Sequence, residues 1–138
     1  MIQAYSQNIT VTTPADVPFN NVTKFKGQTV VHGAPSSFNF NKCGVYNVHV
    51  DGSASGAGEV TFQLYKNDVP LNEAQTTITL TADALQNFAF ETLITVSENN
   101  TCCCCTSPTI VQLSVTTDGD APVEVTLDHV NAVITKLC

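Results

Sequence analysis

An all-β sandwich or jelly roll is the fold class that the sequence predicts. Apolar residues alternate with polar ones over most of the chain, the period of a half-buried strand. Turn residues interrupt the alternation at short intervals, and Thr, Val, Asn and Ser dominate between them. Apolar residues rarely recur at the three-to-four spacing of a helix face. Eight or more short strands without helices point to a sandwich or jelly roll. At 138 residues the chain makes one domain.

The elements follow in order. Residues 1–16 are polar, end near Pro14, and read as an N-terminal arm or edge strand; residues 17–138 form the jelly-roll domain. Residues 17–22 read as a short strand with Pro18 at its start, where a missing N–H is tolerated. Residues 29–32 are a second short piece, and Phe38 and Phe40 share one face of a third. Gly44 opens a longer strand with Tyr46, Val48 and Val50 inward and Asn47 and His49 outward. Residues 51–58, Asp-Gly-Ser-Ala-Ser-Gly-Ala-Gly, read as turn material. Val60, Phe62 and Leu64 point inward from the next strand, and Lys66-Asn67-Asp68 turns the chain. Ile78 and Leu80 mark a further strand, and Phe88, Phe90, Ile94 and Val96 line one face of its successor. Residues 97–108 are a polar loop. Val111, Leu113 and Val115 form an inward row, and Asp118-Gly119-Asp120 reads as a hairpin turn.

The last strand changes phase. Val123, Val125 and Leu127 share one parity; Val130, Ala132 and Ile134 share the other. Either a bulge sits near Asp128, or both faces of this strand are buried, one against the core and one against a neighbour. Val45 and Leu93 also lie on the outward parity. The second alternative gives an oligomer interface made of Val45, Tyr46, Leu93, Val130, Ala132 and Ile134.

These segments resemble a known family. Val17-Pro18-Phe19-Asn20, followed by a block filled by Phe40, Gly44 and Tyr46, is similar to the tumour-necrosis-factor-like jelly roll, and more closely to the branch holding the globular heads of complement. The stretch 127–137 resembles that family's closing strand, which lies beside a threefold axis. The resemblance implies a ten-strand-type jelly roll that assembles as a homotrimer, and it does not imply an enzyme. With no Gly-X-Y repeat and no leader visible, it points by analogy to small trimeric bacteriophage virion proteins that decorate heads or form head fibres. A major capsid protein or another virion component is then the expected partner, and the virion the expected location.

Charge narrows the function classes. The chain carries 5 Lys and no Arg against 12 acidic residues, a net charge of −7, which disfavours nucleic acid as a partner. No apolar run approaches the ~20 residues of a membrane-spanning helix.

Candidate chemistry is sparse. Of 6 cysteines, Cys102, Cys103, Cys104 and Cys105 are contiguous. In a loop they are a candidate metal or cross-linking site, for which Zn²⁺ is the fitting ion; their lack of paired spacing favours a reduced, apolar loop tip. Cys43 reads as a buried core thiol, and Cys138 as an exposed thiol open to chance cross-linking. His32, His49 and His129 lie on separate strands and read as ordinary strand histidines. Asp118 and Asp120 are candidate Ca²⁺ ligands, although Asp-Gly is foremost a turn signal. Three Asn-x-Ser/Thr matches, at Asn8, Asn21 and Asn99, are expected by chance in so Asn- and Thr-rich a chain. No cofactor is therefore expected. Paired carboxylates on one face and an activated nucleophile are both lacking. The expectation is a trimeric, non-enzymatic structural protein of a virus particle. Its rivals are a receptor- or glycan-binding adhesin head working through loops 51–58 and 97–108, and a bacterial surface or spore-coat trimer.

Overall fold

A computed structural model describes residues 1–25, 30–32, 36–96, 109–119 and 121–137. Cys102 to Cys105, Cys138, Asp120, the Asn99 acceptor site and the loop 97–108 lie outside the described residues. Eleven strands and no helix occur among the described residues: β1 (Ile2–Thr12), β2 (Ala15–Asp16), β3 (Asn21–Phe25), β4 (Val30–His32), β5 (Phe38–Phe40), β6 (Gly44–Gly56), β7 (Gly58–Lys66), β8 (Val69–Leu80), β9 (Gln86–Val96), β10 (Thr109–Thr116) and β11 (Glu124–Lys136). They form two stacked sheets. One has five strands in the order β3-β1-β11-β6-β9. The other runs β4-β5-β10-β7-β8, with β2 added alongside β10.

The alternating residues meet between the sheets. Phe62 of β7 stacks on Phe88 of β9 with ring centroids 4.1 Å apart. Phe40 of β5 meets Tyr46 of β6 edge-on at 4.6 Å. Each such buried ring contributes about 1.5–3 kcal/mol by leaving water. The Tyr46 hydroxyl donates to the carbonyl of Lys42, so its one polar atom is satisfied inside the core. Gly44 enters β6 at φ 147°, a conformation that disfavours a side chain.

Residues 1–16 are a correction. β1 is neither an arm nor an edge strand: it pairs with β11 on one side and β3 on the other. Its inward residues Ile2, Ala4 and Ser6 are fully buried, so it is an interior strand of the five-stranded sheet. Two small residues and one isoleucine make a weak hydrophobic signal, which is why the segment reads as polar. The buried Ser6 hydroxyl donates to Pro18 O at 2.7 Å and accepts from Asn20 N at 2.8 Å. Val17 N donates to Leu113 O of β10 at 2.8 Å. The segment 17–20 therefore straps one sheet to the other, with Val17 and Phe19 buried beneath it, and the strand that follows begins only at Asn21.

The phase change in the closing strand is a bulge. The β11–β6 register slips between Leu127 and His129. Val125 and Leu127 before the slip, and Val130, Ala132 and Ile134 after it, are all buried on the same side. β1 changes phase at the same level, where Asn8 takes φ 53°, and so keeps its register with β11 throughout. β6 lies flat against this distortion. A Cβ on Gly52 would sit 2.5 Å from the carbonyl oxygen of His129 and 2.8 Å from the Phe88 ring. Residues 51–56 are accordingly strand, not turn: the small residues there are demanded by close approach. Asn67 and Asp68, both at positive φ, form the tight β7–β8 hairpin as expected. Asp118 and Gly119 do not close a hairpin, because β10 and β11 belong to different sheets.

Candidate functional site

The outward face of the five-stranded sheet gathers most of the chemistry. Residues opposite one another in an antiparallel ladder share a face, so the register gives rows across it. Glu91, His49, Val133 and Gln3 make one row; Ala89, Asp51, Asn131 and Tyr5 make the next. His49 Nε2 lies 2.9 Å from Asp51 Oδ2, and its Nδ1 lies 3.3 Å from Glu91 Oε2. The two carboxylates thus face opposite edges of one imidazole and do not converge on a common point, as metal ligation requires. Among the described residues no group of three or more His, Cys, Asp or Glu is placed to hold a metal ion.

The bulge creates a second grouping. His129 Nδ1 lies 3.0 Å from Ser53 Oγ and 3.8 Å from Asp128 Oδ2. Successive strand residues ordinarily face apart; the extra residue at the slip brings Asp128 beside His129. Serine, histidine and aspartate are the ingredients of a hydrolytic triad, but the geometry is wrong. A triad places the serine on Nε2 and the aspartate on Nδ1. Here both oxygens address Nδ1, and Ser53 is 4% exposed, leaving no room for attack on a substrate. His32, on β4, belongs to the other sheet, so the three histidines are not brought together.

At the lower end of the same face, Leu137 N donates to Val45 O at 2.7 Å, continuing the ladder past β11. Thr95 lies opposite Val45, and Leu93 opposite Asn47. Val45 is half-buried, whereas Leu93 and Leu137 are 57% and 55% exposed. These three, with Val133, form a loose apolar band. Of the six residues expected at an interface, Val45 and Leu93 lie on this outer face. Tyr46, Val130, Ala132 and Ile134 do not: they are buried between the sheets. The bulge explains the three on β11, because it returns the second half of that strand to the inward side; Tyr46, on β6, is inward by its own strand's alternation. The outward side of β11 is instead His129, Asn131, Val133 and Thr135. Leu137 and Val133 were missed for the same reason, and counting parity from Asp128 as a slip would have found both. Cys43 is half-buried, not a core residue.

No family model matches the sequence, and no curated protein matches it. Solved structures do. The globular domain of zebrafish complement 1qA protein superposes with a TM-score of 0.62 at 13% identity, covering 96% of this chain and 94% of that one. Murine APRIL gives 0.68 at 8% identity over 99% and 98%. The PRD1 vertex protein P5 gives 0.60 at 9% identity over 99% and 96%. The fold is the tumour-necrosis-factor-like jelly roll. Identities this low speak for the fold alone. The short pieces that carried the resemblance have structural jobs in this jelly roll. Phe40 and Tyr46 tie the two sheets together, Gly44 admits the chain to β6, and Val17 and Phe19 anchor the strap. These are packing and backbone roles.

Proposed function

We propose that this protein is a non-enzymatic, homotrimeric structural component of a virus particle, of the head-decoration or head-fibre kind in a phage. The observation that carries the reading is the outer face of the five-stranded sheet. It exposes Leu93 and Leu137 beside Val45 on a rigid, internally satisfied scaffold. Burying such side chains between copies contributes about 25 cal/mol per Å² of apolar surface removed from water. In a threefold ring every subunit uses the same pair of complementary surfaces, and a capsid offers local threefold positions for a trimer to occupy. The fold shared with the PRD1 vertex protein supports the particle, and the misaligned Ser53, His129 and Asp128 support a role without catalysis. A net charge of −7 with no arginine supports capsid protein, not nucleic acid, as the docking partner.

Native mass spectrometry at micromolar concentration tests the assembly, and proteomics of purified particles tests the location. The expected results are three times the 14.7 kDa protomer mass and recovery of the protein with intact virions. A protomer mass alone overturns the trimer. Recovery on spores or cell envelopes, and not on virions, overturns the particle.

A further inference from the structure

We infer that the outward face of the six-stranded sheet carries a binding site for neutral saccharides, centred on Tyr65, Asp16 and Ser114. β2 exists only to pair with β10, and that pairing sets Asp16 directly opposite Ser114. The Ser114 hydroxyl donates to Asp16 Oδ1 at 2.6 Å. This fixes the carboxylate while leaving Oδ2 without a protein donor among the described residues. Tyr65, on the neighbouring strand β7, projects from the same face; its inward neighbour Leu64 is buried in the core. Tyr65 and Thr116 make no side-chain hydrogen bond among the described residues. A depression of about 310 Å³ opens between these groups, walled by Pro14. A second, of about 400 Å³, continues from it toward Pro122, and the two share Pro14 and Thr116.

An aromatic ring offers its face to the C–H surface of a pyranose, and a proline ring in the same hollow adds apolar surface. An anchored carboxylate oxygen accepts strong, charge-assisted bonds from hydroxyl donors. Serine and threonine hydroxyls serve as donor or acceptor. A few convergent polar groups set in an apolar-walled hollow are the general form of a small-ligand site. Among the described residues Asp16 is the only charged one lining either depression, and the chain as a whole is acidic. The site therefore selects uncharged sugars and repels sialylated, uronic or sulfated ones. Two adjoining hollows fit more than one sugar unit. The site uses neither Leu93 nor Leu137 and stands whether or not three copies assemble. In a trimer it occurs three times, and simultaneous engagement then strengthens weak individual contacts.

The test applies the full chain to a printed array of neutral and acidic oligosaccharides, with the best neutral binder then followed by calorimetry and by amide chemical shifts. The expected result is a neutral ligand whose shifts cluster at Asp16, Tyr65, Ser114 and Thr116. Tyr65→Ala and Asp16→Asn should each weaken it by about tenfold or more, a loss of ~1.4 kcal/mol. Tyr65→Phe, which keeps the ring, should stay within about threefold. Thr79→Ala, exposed on β8, should bind unchanged. Absence of any neutral ligand at millimolar concentration, a preference for acidic glycans, or full binding by Tyr65→Ala overturns the site. The shift map is read on the unaltered protein, so it decides the matter even if a variant misfolds.

Discussion

The two outward faces of the sandwich differ in kind. The five-stranded sheet presents His49 between two carboxylates, a bulge at its centre, and exposed leucines at its lower end. The six-stranded sheet presents Thr61, Gln63, Tyr65, Gln112, Ser114 and Thr116, a hydroxyl- and amide-rich surface with Ile110 exposed at one end of it. Thr61 and Thr77 hydrogen-bond across its strands at 2.8 Å. Both faces cover equally apolar interiors, so the core does not account for the difference. The first face adds two exposed leucines, Leu93 and Leu137, to its charged rows, and the second is mostly neutral and polar.

The sharpest way to break that comparison is to place one charge on each face. Leu93→Glu should abolish the trimer at micromolar concentration, since a buried unpaired carboxylate costs several kcal/mol per interface. Thr77→Glu on the opposite face should leave the native mass threefold. Equal behaviour of the two variants would erase the distinction. A second substitution addresses the interior of the first sheet. Gly52→Val must displace the His129 carbonyl or the Phe88 ring, and overpacking of this sort costs about 1–3 kcal/mol. Its urea midpoint should fall accordingly, and an unchanged midpoint would mean that β6 does not hug the bulge.

These sites also mark where the sequence was legible and where it was not. Strands with bulky alternating residues, such as Val60, Phe62 and Leu64 in β7 or Phe88, Ile94 and Val96 in β9, announce their facing directly. β1 did not, because Ala4 and Ser6 are buried yet carry almost no hydrophobic signal. Residues 51–56 looked like turn because glycine and serine serve both turns and crowded strands, and only the contact with His129 and Phe88 separates the two uses. In β11 the slip and the double-faced strand were both on the table. A single sequence holds no information on which applies, since the deciding fact is the register with Ser53, 76 residues from His129. The double-faced reading puts Val130, Ala132 and Ile134 on the outer side, whereas the register turns them inward. The Asp16–Ser114 pairing was invisible for a similar reason, resting on a two-residue strand.

Two smaller effects refine the picture. Asn8→Ala removes the residue best suited to φ 53° and should lower stability by about 1 kcal/mol, while Asn8→Gly should be nearly neutral. Thermal unfolding of the pair checks it, and equal losses would argue against a left-handed residue at the bulge. Thr77→Ala deletes the cross-strand hydroxyl pair on the wet face and should cost only about 0.2–1 kcal/mol. A larger loss in the same assay would mean that this face is buried after all.

Ile2 lies opposite Ile134 in the β1–β11 ladder. The ribosome therefore releases β1 long before β11, the partner that makes it an interior strand of the sheet. Contacts this distant along the chain slow folding, and an early strand with an open side is a hazard while it waits. The small inward Ala4 and Ser6, which hide it from sequence reading, also make it a poor template for aggregation during that interval.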